Sequence, residues 1–144
     1  MLVGPSGWGQ QVRPAAGVVL AGVVSASQLS ALYSMARLLV YVPFIEGFGL
    51  PPVEAMTFGT PVVASRGLPS TDGAAFEVDP HDVDSIREGL AIVATDEAER
   101  ARLSARGLAR ASVLTWAEIA REHLAVWRRA ARTGPGSRRD ARGG

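Results

Sequence analysis

Apolar residues along this chain fall into short unbroken runs, separated by stretches in which they recur at helical spacing. Val18 to Ala21 is such a run, ending at Gly22, and predicts a buried strand. Leu2 to Gly4 reads as the end of an earlier strand, and the stretch from there to Gly17 as loop. Between Ser25 and Ala36 the pattern changes. Leu29, Leu32, Tyr33 and Ala36 share one helical face, and Ser25-x-x-Gln28 is a capping-box pattern that opens the helix. Leu38 to Val42 is a continuous apolar run, as expected of a strand buried on both faces of a parallel sheet. Pro51 and Pro52 suit the first turn of a helix reaching Phe58, with Gly59 as a left-handed terminator. Pro61 to Ser65 and Ala74 to Val78 predict two more buried strands. Asp82 to Ala94 and Glu97 to Ala109 predict amphipathic helices. Thr115-x-x-Glu118 is a second capping-box pattern, opening a last helix to about Arg132. Its Trp116, Leu124 and Trp127 suit an apolar face packed on the domain.

Strands alternating with helices at this spacing predict an α/β fold with a doubly wound, parallel, Rossmann-like sheet. Residues 1–132 form its single domain. Residues 133–144, rich in Gly, Arg and Ser, read as a disordered tail.

Composition narrows the function only a little. A formal net charge of +1 gives no global steering toward nucleic acid or an anionic membrane. The chain has no cysteine, which excludes disulfides and thiolate-ligated metal. All fifteen basic residues are arginine, so neither a Schiff-base lysine nor a lysine phosphate clamp is available. The longest apolar stretch, Ala15 to Val24, is far short of the roughly 20 residues that span a bilayer, and a cytosolic compartment is the simplest reading.

The candidate chemistry sits in the Gly-rich loop after the Leu38–Val42 strand. Ligands of doubly wound sheets bind at the carboxyl ends of the strands, which is where Glu46-Gly47-Phe48-Gly49-Leu50 falls. Gly47 and Gly49 remove side-chain bulk, so the backbone N–H groups from Gly47 to Leu50 can converge on one acceptor. The following helix adds the positive end of its dipole. Together they predict an anion-binding concavity of diphosphate size. The carboxylate of Glu54 can accept two hydrogen bonds from a vicinal diol such as a ribose, and Glu46 can hold sugar hydroxyls. The bland alternative is a solvated first-turn glutamate beside a loop that binds nothing.

The run Val40 to Met56, followed by Gly59 to Ser65, resembles the donor-site signature of glycosyltransferase family 4. Weaker resemblance extends upstream through Leu20 to Val24 and downstream to Thr115-Trp116. The resemblance implies a GT-B fold and retaining transfer of a hexose from a UDP-, GDP- or ADP-sugar, without a metal or other cofactor. By position, it implies that Glu46 contacts the hexose near the reacting carbon. It assigns Phe48, Gly49 and Leu50, with Gly47, to sugar and diphosphate, and Glu54 to the ribose. Gly22, Val23 and Val24 match the loop beside the nucleobase. The acceptor would be a glycan, lipid or small molecule.

This sequence also departs from that pattern. The family's acceptor domain and the first part of its donor domain are absent, so the chain is expected to be incomplete at its N-terminal end and inactive alone. The family's Arg–Lys pair on the diphosphate has no match, since Arg37 and Arg66 lie elsewhere. The connection from Gly4 to Gly17 is short, and so is the loop from Arg66 to Gly73, where Ser70 replaces the usual glutamate. The rival reading is a non-catalytic remnant or nucleotide-binding module; an epimerase or phosphorylase of the same fold fits the motif less well. His81 reads as a loop or capping residue and His123 as a surface residue. The arginines at 128, 129, 132, 138, 139 and 142 form a basic C-terminal end. A solvated end is the default, and attraction to the inner membrane surface is the sharper reading.

Overall fold

The structure, a computed structural model, describes residues 1–5 and 15–133. Five strands and five helices are found among them: β1 (Leu2–Val3), β2 (Leu20–Gly22), α1 (Ala26–Met35), β3 (Leu39–Tyr41), α2 (Leu50–Thr57), β4 (Val62–Ser65), β5 (Phe76–Val78), α3 (Val83–Thr95), α4 (Glu97–Val113) and α5 (Trp116–Thr133). All strand pairings are parallel. β3, β4 and β5 form one sheet in that order, while β1 and β2 form a separate two-stranded sheet.

β4 is the spine of the domain. All four of its residues are buried, and successive side chains of a strand point to opposite faces. Val62 and Ala64 therefore join a core with Tyr33, Ala55, Met56 and Ala111, from α1, α2 and α4. Val63 joins a second core with Val78, Val93 and Leu103, from β5, α3 and α4. Helices cover both faces, which is what doubly wound means physically.

Two strands differ from expectation. The Val18–Ala21 run was predicted buried, yet the strand is Leu20–Gly22 and Val19 and Leu20 are about half exposed. β3 was predicted buried on both faces, yet Val40 is exposed and its neighbours only half-buried. The reason is shared: β3 pairs only with β4, and the β1–β2 sheet pairs with neither, so both are edge strands among the described residues.

The helix boundaries follow local chemistry closely. Ser25 caps α1 with both bonds of the capping box. α2 ends at Gly59, whose φ is +72°. The Gly59 N–H bonds Met56 O at 3.0 Å and the Thr60 N–H bonds Ala55 O at 3.1 Å, the double closure of a Schellman motif. Asp82 and Asp96 cap α3 and α4.

α5 departs most from its predicted role. Every described side chain from Ala120 to Arg132 is exposed. Trp116, Leu124 and Trp127 are 79%, 41% and 65% exposed, so the apolar face does not pack on the domain as expected. Only the first turn comes close, through Trp116 and Ile119. Thr133 closes the helix; the rest of the predicted disordered tail, residues 134–144, lies outside the described residues, as do residues 6–14 of the short early connection.

Candidate functional site

β3 delivers the chain to the sheet rim at Tyr41, and Ser65 at the end of β4 fixes the exit by donating its hydroxyl to Pro43 O at 2.6 Å. The loop then carries Glu46 outward, where it is exposed. The Tyr41 hydroxyl donates to Glu46 Oε2. The Gly47 N–H donates to Glu46 Oε1 at 2.8 Å. These bonds, the phenol's first, hold the Glu46 carboxyl below the ordinary carboxylate range. In return, burial and then the bond to Glu46 push the Tyr41 phenol up to about 12.

Eight residues on, Glu54 lies on the exposed side of α2, opposite the buried Pro52, Ala55 and Met56. The Tyr33 hydroxyl donates to Glu54 Oε2 at 3.1 Å. The Tyr33 ring is buried, and burial followed by the bond to Glu54 raises its phenol well above the usual value. The negative charge of Glu54 adds to the same upward shift. The two glutamates thus flank the loop, each tied to a tyrosine from an adjoining element.

The loop between them meets part of the expectation. Gly47 does not offer its N–H outward, because its own neighbour's carboxylate takes it. The N–H groups of Phe48, Gly49 and Leu50 carry no hydrogen bond among the described residues. Pro51 and Pro52 have no N–H to add, so these three amides are the donor set at the start of α2. Gly47 is glycine in open space, with nothing within 4 Å of an added Cβ. Gly49 is different. Its φ is +85°, and a Cβ there would lie 3.0 Å from Ser70 Oγ and 3.1 Å from Leu68 Cδ2. Its glycine serves the packing of the 66–73 loop as well as any approach to a ligand.

That loop is held by a residue with no sequence signal. Arg110 on α4 donates to Ser70 O and Pro69 O, each at 3.1 Å, and pairs with Asp72 at 3.3 Å. Ser70, where a glutamate was expected from the resemblance, is fully buried and its Oγ has no hydrogen-bond partner among the described residues. Its N–H donates to Phe48 O at 3.2 Å, tying the two loops together.

Beside Glu54 opens a groove of about 360 Å³ between α1, α2 and the start of α5. Tyr33, Phe48, Leu50, Val53, Phe58 and Trp116 give it mostly apolar walls, with Glu54 as its carboxylate. Glu46 does not line it; nor do Gly22, Val23 and Val24, which precede α1 and whose Ala26 neighbour does. Arg37 donates to Ala94 O at 2.8 Å, away from the loop. Arg66 is exposed just past β4. His81 is exposed and stacks on Phe44 with ring centres 4.9 Å apart. His123 is exposed on α5, in edge contact with Trp127.

Parallel strands, helices on both faces and a Gly-rich turn at a strand's carboxyl end make this a Rossmann-like α/β domain of the GT-B kind. The solved structure of a sucrose-phosphate synthase from Thermosynechococcus elongatus superposes with a TM-score of 0.65 and 26% identity, over 81% of this chain and 31% of that one. The family model described as "Glycosyl transferases group 1" matches residues 8–110, and the chain belongs to that family. It is 44% identical over 98 residues to O-antigen chain mannosyltransferase B of Escherichia coli, covering 66% of this chain and 26% of that protein. It is 38% identical over 114 residues to an MMP alpha-(1->4)-mannosyltransferase of Mycolicibacterium hassiacum, covering 74% of this chain and 28% of that protein. The chain therefore spans little more than a quarter of the length of these two relatives.

Proposed function

We propose that this chain is the donor-binding part of a glycosyltransferase that moves a hexosyl group, of mannosyl type, from a nucleotide-diphosphate sugar to an acceptor with retention. The observation that carries the reading is the pair of tyrosine-held carboxylates flanking three unpaired amides at the start of α2. Glu46 faces the hexose, the amides of Phe48 to Leu50 take the diphosphate, and Glu54 takes the ribose diol at the mouth of the apolar groove. Gly22, Val23 and Val24 lie on the nucleobase side. The amides and helix dipole supply positive potential to the leaving diphosphate, and the reading needs no metal or other cofactor. The acceptor, a glycan, lipid or small molecule, binds to an acceptor domain outside this chain, and nucleic acid is not a partner. The names of the mannosyltransferase relatives support the hexosyl class.

Calorimetric titration with UDP, GDP, ADP and the sugar nucleotides UDP-glucose, GDP-mannose and ADP-glucose tests the reading. One base series is expected to bind with a Kd below about 1 mM, equivalent to about 4 kcal/mol. No heat from any of the six would favour the non-catalytic remnant instead.

We further place the chain in the cytoplasm, at the inner membrane surface. No described helix is long and apolar enough to cross a membrane. On α5, beyond the groove-lining Trp116, one arc carries Leu124, Val126 and Trp127, and the opposite arc carries Arg121, which pairs with Glu118, together with Arg128 and Arg132. A helix so divided lies in a lipid interface with its arginines toward anionic headgroups. The chain is expected to sediment with vesicles containing phosphatidylglycerol and to be released by salt. Equal binding to pure phosphatidylcholine, or none to either, contradicts this placement.

A further inference from the structure

The chain contains two tyrosines, and each donates a hydrogen bond to one of the two glutamates. Neither bond is between sequence neighbours on one helix. Tyr33 reaches Glu54 from α1 across to α2, and Tyr41 reaches Glu46 from the end of β3 to the loop beyond it. The rings have packing roles of their own. Tyr33 is 8% exposed and lies 6.3 Å from the Phe58 ring. Its backbone carbonyl accepts from Thr60 Oγ1 at 2.6 Å. A phenylalanine would serve that packing equally, so the packing does not account for the hydroxyls.

We propose that Tyr41 and Tyr33 are positioning residues of the donor site: Tyr41 fixes the Glu46 carboxylate toward the sugar end, and Tyr33 fixes the Glu54 carboxylate toward the nucleoside end. This rests on the donor-site reading above. An exposed glutamate samples many rotamers and must lose that freedom when it grips a ligand. A phenol anchored in the fold restricts this freedom before the ligand arrives. The two carboxylates are held to different degrees. Glu46 is fixed at both oxygens, by Tyr41 on Oε2 and by the Gly47 N–H on Oε1. Each oxygen has two lone pairs, so each keeps one acceptor position for a sugar hydroxyl. Glu54 is held at Oε2 alone, which leaves Oε1 with both lone pairs for a diol. The phenols remain protonated donors throughout the physiological range, because both are raised above the ordinary tyrosine value.

The test compares Tyr41→Phe, Tyr33→Phe, Glu46→Gln and Glu54→Gln by calorimetry, with the same three sugar nucleotides and their parent diphosphates. Tyr41→Phe is expected to weaken the sugar nucleotide roughly tenfold and to leave the parent diphosphate within about twofold. Tyr33→Phe is expected to weaken both by a similar factor. Melting midpoints should stay unchanged in both. Equal weakening of both ligands by Tyr41→Phe, or wild-type affinity in either phenylalanine variant, overturns the positioning role. If the wild type binds and Glu54→Gln does not while both phenylalanine variants bind normally, only the tyrosine inference fails. If the wild type binds none of the six, the donor-site reading fails and takes this one with it. A ligand-free measurement stands apart from both. Titration of carbon-13-labelled tyrosine by NMR should show the Tyr41 phenol falling toward its ordinary value in Glu46→Gln, and no movement would mean that the bond is absent in solution.

Discussion

Glu54→Ala is expected to lower nucleoside diphosphate affinity about a hundredfold, with little change in stability. A hydrogen bond to a charged group contributes about 1.5–3 kcal/mol, and a carboxylate on a vicinal diol makes two. Discounting for water at the mouth of the groove leaves about 3 kcal/mol, or about a hundredfold in Kd. The groove's apolar walls at Leu50, Val53, Phe58 and Trp116 keep the discount moderate, because they lower the local dielectric around the carboxylate. Glu54 itself is exposed and is tied to the core through the Tyr33 hydroxyl, one bond at the groove edge, so its truncation should largely spare the fold. Tyr33 would lose its hydrogen-bond partner at a site solvent can reach. Glu46→Ala is expected to behave differently: it should weaken the sugar nucleotide while sparing the parent diphosphate. Calorimetry on the two variants separates the ends of the site. An unchanged diphosphate Kd in Glu54→Ala would sink the assignment of the ribose to that residue.

The parts of this fold that could be read from the chain are those fixed by local chemistry. The capping box at Ser25, the proline-led start of α2 and the left-handed Gly59 each depend on residues within one turn, and each is found where it was expected. The Glu46–Glu54 spacing likewise placed both carboxylates beside the same loop. What escaped was set by tertiary neighbours. The apolar runs of β2 and β3 read as buried because hydrophobicity records what a strand can bury, and it does not record whether a partner strand pairs with its edge. α5 differs for the same reason: its amphipathic pattern correctly gave a helix, and a pattern does not record whether the domain offers a surface to cover the apolar face. Tyr33 was legible as a core-facing helix residue, but the reach of its hydroxyl to Glu54 spans 21 positions and leaves no periodic trace. Arg110 reaches the Ser70 loop across 40 positions and was hidden in the same way. A sharper signal was available in one place. Tyr41 stands five positions before Glu46, at the end of the strand that leads into the loop, so of the two phenol–carboxylate pairs this one has a local sequence signal.

The second large effect is expected at Met56, on the opposite side of the helix that carries Glu54. Met56 is fully buried and sits in the core with Val62, Ala64 and Ala111. It presses against α4 at Gly107, where an added Cβ would lie 2.9 Å from Met56 Cγ. Truncation to alanine should remove about 2–5 kcal/mol of stability, a large share of the roughly 5–15 kcal/mol that holds a typical domain together. The denaturant midpoint should fall with the slope unchanged. Gly107→Ala should destabilise as well, by about 1–3 kcal/mol, because the methyl overpacks the same contact. The double variant then decides whether the contact is real. In Met56→Ala the cavity has room for the Gly107→Ala methyl, so the pair should cost less than the sum of the singles, by about 1 kcal/mol or more. Simple additivity would mean that α2 and α4 do not meet at these residues, and the seat of Glu54 would have to be sought elsewhere. Donor affinity of the double variant supplies the link to function. If the α2–α4 contact is what aims the Glu54 face at the groove, refilling the cavity should recover binding together with stability.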